Sequence, residues 1–266
     1  GTTRRAAKMV IVNDDHPDVE KFIEWKVKEE QKVAALVAGS TIIKKHVQRL
    51  HEATNTSMDK SDIKTLLRRA RKDSVPEILI QRAIKLAEEG KQLNIDAFDT
   101  DWQGEAYQTV SGQNSNNSVR VTEDFLSAVR ENKDWDLIRR TDGSVHKTMQ
   151  ATDLWEKIAI ASWQSADPGL QFDTTINEWH TSPKGGRING SNPCSEYMFL
   201  DDTACNLASI NLMKFFVEKD NSFDIEGYEH AIQLWTIVLE ISVLMAQFPS
   251  KEIAQLSYDY RTLGLG

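Results

Sequence analysis

The stretch Asn192-Pro193-Cys194-Ser195-Glu196 sets an amide, a thiol and a carboxylate at alternate positions. Cys205, the other of the chain's two cysteines, follows eleven residues later. A carboxylate can take a proton, an amide offers hydroxyls both a donor and an acceptor, and a thiol serves as nucleophile or redox centre. Alternate side chains of an extended backbone point the same way, so the three would face one cavity. Pro193 favours extended geometry at Asn192 and cannot donate a ladder hydrogen bond, which reads as an extended loop rather than a central strand. A carboxylate two residues away tends to keep sulfur protonated, which disfavours thiolate attack and suits loss of a hydrogen atom. A cysteine hydrolase would need an imidazole near Cys194, and His180 and His146 are the histidines to consider. A zinc site is incomplete, with neither a CxxC nor paired histidines, and no metal is assigned. The bland alternative is that both cysteines are small buried hydrophobes and Glu196 is a cap.

The elements that must position these residues sit in a 266-residue chain of formal charge −8, with 40% hydrophobic and 27% charged residues. That acidity argues against general nucleic-acid binding, which needs a basic surface. Two cysteines make no disulfide framework, and without a secretory segment the expected compartment is the reducing cytoplasm. The longest apolar stretch, Leu234 to Phe248, carries Glu240 and reads as a buried helix rather than a membrane span. The opening GTTRRAA and the closing YRTLGLG read as a piece of something longer, truncated at both ends.

Along the chain, AAKMVIV (Ala6 to Val12) predicts a buried strand. Apolar residues from Val19 to Val37 at helical spacing predict an amphipathic helix stopped by Gly39. Residues 41–95 read as a helical insertion, and the basic cluster Arg68, Arg69, Arg71, Lys72 as the solvated face of one of its helices. The polar loop GQNSNNSVRV (Gly112 to Val121) runs into a strand, and its amides and serines serve either as turn formers or as the lining of a ligand pocket. TEDFLSAVREN predicts a helix capped by Thr122, and Thr152 to Ser165 another, with Leu154, Ile158, Ala161 and Trp163 along its apolar stripe. LQFDTTINEW reads as a strand, ACNLASINLMKFF has strand character, and IEGYEHAIQLWTIVLEISVLMAQF is a long helix ended by Pro249. Strands and helices alternate at both ends of the chain, which means α/β, a barrel or an open sheet with helices outside.

NPCSEYMFLDDTACNLASINL resembles the finger-loop region of ribonucleotide reductase catalytic chains, in particular the adenosylcobalamin-dependent class II type. The likeness continues through DTDWQGEAYQTVSGQNSNNSVRV, DLWEKIAIASWQSADPGLQFDTTINEWHTSP and FPSKEIAQLSYDYRTLGLG, and so covers nearly the whole chain. The resemblance implies that residues 1–266 are part of a ten-stranded α/β barrel with a helical insertion. It implies thiyl-radical reduction of ribonucleotides to 2′-deoxyribonucleotides, supporting DNA synthesis. Cys194 matches the residue that takes the 3′ hydrogen, Glu196 the base on the 3′ hydroxyl, and Asn192 the amide that holds the sugar hydroxyls. Cys205 matches one of the two reducing cysteines, and Asn192, Pro193, Cys194, Ser195 and Glu196 together match the substrate-binding loop. Thr3, Arg4 and Arg5 resemble the end of the loop that passes effector information to the substrate. The implied cofactor is adenosylcobalamin. The implied partners are a ribonucleotide substrate, a deoxynucleotide or ATP effector, a thioredoxin-like reductant and a second copy in a homodimer, with no nucleic acid and no membrane. A class I catalytic chain, whose radical comes from a partner subunit, and a non-catalytic nucleotide-binding domain are the competing readings.

Overall fold

The computed structural model describes residues 7–266, so Thr3, Arg4 and Arg5 lie outside the described residues. The chain divides into two compact units, one of residues 1–119 and 128–169, the other of residues 120–127 and 170–266.

The first unit opens with β1 (Lys8–Asn13), on the β-branched run that predicts a strand, although its residues are half-buried or exposed rather than buried. Then comes α1 (Val19–Asn55), a helix of 37 residues. It does not stop at Gly39. Glycine ends a helix when it adopts a left-handed conformation with its cap bonds, whereas here Gly39 keeps a helical φ and the helix runs on through Ser40 to Ile43. A Cβ placed at Gly39 would meet nothing within 4 Å. Gly39→Ala is therefore expected to stabilise the protein by about 0.5–1 kcal/mol, seen as a higher midpoint in urea unfolding; an unchanged or lower midpoint would contradict it.

The far half of α1 packs with α2 (Lys60–Lys72) and α3 (Glu77–Glu88). Val47, Leu50, Ala70, Val75, Ile80 and Ala83 form their shared core. Full burial of Leu50 or Ile80 contributes about 1.5–3 kcal/mol each. Arg68, Arg69, Arg71 and Lys72 lie on the exposed side of α2, and Arg71 pairs with Glu77 at 2.8 Å. A short helix, α4 (Glu105–Gln108), precedes β2 (Ser115–Val121). Residues 120–127 belong to the second unit, and there the Thr122 hydroxyl accepts the Phe125 N–H at 3.2 Å and starts α5 (Glu123–Arg130), whose last residues return to the first unit. An antiparallel pair follows, β3 (Asp134–Ile138) and β4 (Val145–Gln150), and then α6 (Ala151–Ser165). Near the start of α1, the Glu20 carboxylate accepts from Lys147 and Lys157 at 2.5 and 2.6 Å. Leu154, Ile158 and Ala161 of α6 are buried as expected, but Trp163 is 85% exposed. Two positions beyond Ala161 on a 100° wheel, it falls on the opposite face.

The second unit carries β5 (Gly169–Phe172) and α7 (Asp173–Glu178). LQFDTTINEW thus contributes only Leu170 to Phe172 to a strand and then gives way to a helix, rather than forming one long strand. The unit continues with β6 (Gly190–Ser191), β7 (Met198–Phe199), β8 (Asn206–Ala208), β9 (Phe216–Val217) and β10 (Ser222–Phe223). It ends with α8 (Ile225–Met245), α9 (Lys251–Tyr260) and β11 (Leu263–Leu265). Of ACNLASINLMKFF, only β8 and the first residue pairing of β9 are strand. α8 starts where predicted but ends at Met245, short of the expected stop at Pro249, and it is less buried than expected: Leu239 and Val243 are buried, whereas Leu234, Ile237, Ile241 and Leu244 are about half exposed.

Among the described residues the sheets hold three strands or two, and none closes on itself. The mixed helix and strand content stands; a closed ten-stranded barrel is absent from the described residues. Among the described residues, no helix is long and apolar enough to cross a membrane.

Candidate active site on a finger hairpin

β6 and β7 pair antiparallel, Gly190 opposite Phe199 and Ser191 opposite Met198, and the chemistry-bearing residues form the connection between them. This connection is not extended. The Ser195 N–H donates to the Asn192 carbonyl at 3.0 Å, and Ser195 has φ 63°, so residues 192–195 close a tight turn. Pro193 stands at the second position of that turn, where its fixed φ favours turning as much as extension. Side-chain alternation therefore does not align the three groups; the turn does the positioning.

At the turn, the Asn192 side-chain oxygen accepts the Tyr197 N–H at 3.0 Å, which locks the return strand. Its NH₂ group makes no hydrogen bond among the described residues and is available to a ligand. Cys194 is exposed at the tip, and Glu196 is exposed beside it. His180 is buried, with its ring edge-on to Phe199 at 5.8 Å and its Nδ1 accepting the Ser182 N–H at 3.3 Å. It makes no hydrogen bond to Cys194, so the Cys-His arrangement of a hydrolase is not formed by this histidine.

Cys205 lies just before β8, which pairs parallel with β11. Burial pushes its thiol above the ordinary cysteine range; a Thr262 hydrogen bond works against this, and the Glu196 carboxylate adds to it. Glu196 thus reaches Cys205 electrostatically across the hairpin. The thiol remains protonated at neutral pH, the form that donates a hydrogen atom. Removing the charge with Glu196→Gln is expected to shift the pH profile of Cys205 alkylation to lower pH. Mass spectrometry of the Cys205 peptide reads this directly, and an unmoved profile would remove the electrostatic link.

Two supports under the hairpin were not singled out in the sequence. The Tyr197 hydroxyl bonds Thr203 and Thr262, both at 2.8 Å, and the Thr262 hydroxyl donates to the Ala204 carbonyl at 2.8 Å, tying the return strand to the segment that carries Cys205. The second support is buried. Arg120, 3% exposed, donates to Asp173 at 2.6 Å, to the Gln171 side-chain oxygen at 3.0 Å and to the Ile188 carbonyl. Arg187 pairs with the other oxygen of Asp173. Gln171 in turn donates to the Ser191 hydroxyl at 2.7 Å, and that hydroxyl reaches the Asn192 carbonyl at 2.9 Å. The one available signal was a charged residue inside the otherwise apolar run Val119-Arg120-Val121, where an arginine needs buried partners.

The profile of the ribonucleotide reductase barrel domain matches residues 1–266, the full chain. The chain belongs to the ribonucleotide reductase barrel-domain family. It is 59% identical over 277 residues to a vitamin B12-dependent ribonucleotide reductase of Agrobacterium fabrum, a match that takes in 100% of this chain and 22% of that protein. It is 57% identical to the vitamin B12-dependent ribonucleotide reductase of Bradyrhizobium diazoefficiens, with the same coverage. A vitamin B12-dependent ribonucleoside-diphosphate reductase of Thermoplasma acidophilum is 32% identical over 58% of this chain and 20% of its own length. The chain thus spans about a fifth of the length of these relatives. Membership in the reductase family agrees with the resemblance read from the finger-loop residues.

Proposed function

We propose that this chain is the finger-loop portion of a vitamin B12-dependent ribonucleotide reductase that converts ribonucleotides to 2′-deoxyribonucleotides for DNA synthesis. One observation carries the reading: an exposed thiol at the tip of a hairpin, with a free amide in the same turn and an exposed carboxylate just after it, in a chain matched end to end by reductases of that name.

In this reading adenosylcobalamin, when bound, supplies an organic radical able to take a hydrogen atom from a thiol. The Cys194 sulfur then removes the 3′ hydrogen atom of the ribose. Glu196 takes the 3′ hydroxyl proton, and the Asn192 NH₂ holds the sugar hydroxyls. Cys205 and a second thiol from elsewhere in the longer polypeptide give up two electrons and become a disulfide. The 2′ hydroxyl leaves as water, and the 3′ hydrogen atom returns from Cys194. Protonated thiols suit each of these steps, and the raised Cys205 pKa supports its part. Pro193 and Ser195 shape the substrate loop, with Ser195 bonding the Ser191 hydroxyl at 3.3 Å.

The same reading assigns the two units to one ten-stranded catalytic barrel completed by the rest of the polypeptide, with residues 41–95 as a helical insertion. It assigns Thr3, Arg4 and Arg5 to effector communication, with a deoxynucleotide or ATP as effector. A thioredoxin-like protein resets the cysteine pair, the enzyme works in the cytoplasm, and two copies form a homodimer. The test is ribonucleotide reduction by the full-length protein, anaerobically, with adenosylcobalamin and no second subunit. Activity that appears only when a metal-containing subunit is added would replace this reading with the class I one.

A further inference from the structure

We propose that Thr262 is a positioning residue for Cys205, gripping the chain on both sides of the thiol, an inference that rests on the reductase reading above. The parallel pairing of β8 with β11 brings the two together, with Leu263 opposite Asn206 and Gly264 opposite Leu207. Thr262 then bonds both neighbours of the cysteine. Its hydroxyl donates to the Ala204 carbonyl at 2.8 Å, and its own carbonyl accepts the Asn206 N–H at 3.2 Å.

Thr262 is itself held firmly. It follows Arg261, which closes α9 at φ 47° with its N–H on the Ser257 carbonyl at 2.9 Å. The Arg261 guanidinium is anchored on both the side chain and the carbonyl of Glu240 in α8. The same helix fixes the Asn206 side chain, whose NH₂ donates to the Ser242 hydroxyl at 2.7 Å. Threonine suits the place, because branching at Cβ leaves χ1 few choices and so fixes where the hydroxyl lies. Two positions on, a Cβ at Gly264 would clash with Leu207 and lie 3.7 Å from the Cys205 sulfur, so the strand passes this close because it carries no side chain there.

The hydroxyl can also serve the sulfur. Tyr197, Thr203 and Thr262 carry one hydroxyl hydrogen each. Four contacts draw on them: Tyr197 with Thr203, Tyr197 with Thr262, Thr203 with the Leu200 carbonyl, and Thr262 with the Ala204 carbonyl. One contact at any moment lacks a hydrogen, so the set has more than one arrangement. The Thr262 hydrogen is therefore free to turn from the Ala204 carbonyl to a Cys205 thiolate, and a hydrogen bond to the charged form favours that form. This works against burial and the Glu196 carboxylate, which both favour the neutral thiol. The nearby charges on Arg261 and Glu240 pair with each other. Through Tyr197, next to Glu196 on the return strand, the same hydroxyl is tied to the hairpin that carries Cys194.

Thr262→Val and Thr262→Ser in the full-length protein test the assignment, read by alkylation of the Cys205 peptide against pH and by ribonucleotide reduction. Valine keeps the branched shape and has no hydroxyl. Its Cys205 profile is expected to move to higher pH, opposite in sign to the Glu196→Gln shift. Its kcat should fall by about tenfold to a hundredfold with KM for the ribonucleotide unchanged, as misplacing a reacting group by about 1 Å can do. Serine should restore the profile and most of the rate. Thr262→Ala, which also lacks the hydroxyl, should shift the profile the same way as valine. Valine and alanine profiles that coincide with wild type would overturn the proposal and leave the enzyme assignment standing. So would a shift that serine does not rescue, which would make Thr262 a packing residue. Wild-type protein that reduces no ribonucleotide would instead remove the reductase reading, and the part of Thr262 in turnover with it.

Discussion

Cys194→Ser in the full-length protein is expected to lower ribonucleotide reduction by at least ~10³-fold, a loss above 4 kcal/mol at about 1.36 kcal/mol per decade. The hydrogen of a serine hydroxyl is held far more strongly than that of a thiol, so the same oxidant cannot open the cycle. Folding should not suffer, because the side chain is exposed at a turn tip and oxygen for sulfur removes little volume there. Such surface changes fall within about 0.5 kcal/mol. Exchange of the 3′ hydrogen should vanish together with turnover. Reduction that survives the change would make Cys194 a structural residue and favour the nucleotide-binding domain among the competing readings.

Arg120→Met is expected to have the largest effect on stability. The guanidinium is buried and pairs with Asp173, Gln171 and the Ile188 carbonyl, so methionine leaves three acceptors without this donor. Asp173 keeps Arg187, and the Ile188 carbonyl keeps the Asn177 NH₂ at 3.1 Å, which softens the loss. Removing one partner of a buried pair still costs about 3–5 kcal/mol. At roughly 2–4 °C per kcal/mol, the thermal midpoint should fall on the order of 10 °C. Gln171 would also lose its anchor below Ser191, so the hairpin carrying Cys194 should loosen. A midpoint within about 2 °C of the wild-type value would show that the network is dispensable.

The chemistry of the site was legible because it is concentrated in Asn192 to Glu196 and because Cys205 has few rivals in a chain with two thiols. Its geometry was not. Alternation predicts a shared face only for extended backbone, and the bond from Ser195 to Asn192 closes a turn that one residue type in the sequence, Pro193, allowed but did not require. Helices whose apolar stripe and cap agree, such as α5 with Thr122, were readable. α1 was read too short because Gly39 is a stop only when it turns left-handed, and here it stays helical. LQFDTTINEW hid a strand-to-helix change because Thr and Ile suit both states and the deciding partners of Asp173, Arg120 and Arg187, lie 53 and 14 residues away. The burial of α8 depends on neighbours that helical periodicity alone does not supply.

The length of α1 has a mechanical consequence. At 1.5 Å per residue it is a rod of about 55 Å, gripped at one end through Val19, Phe22 and Ile23 and at the other through Val47, Leu50 and Ala53. Between Val33 and Val47 no side chain is buried, and the residue without a Cβ stands near the centre of that span. Two anchored ends and a slender waist make a dumbbell. A bend at the waist would disturb only partly buried contacts, chiefly Ile43 against the α2–α3 core, so flexing there costs less than separating either buried end.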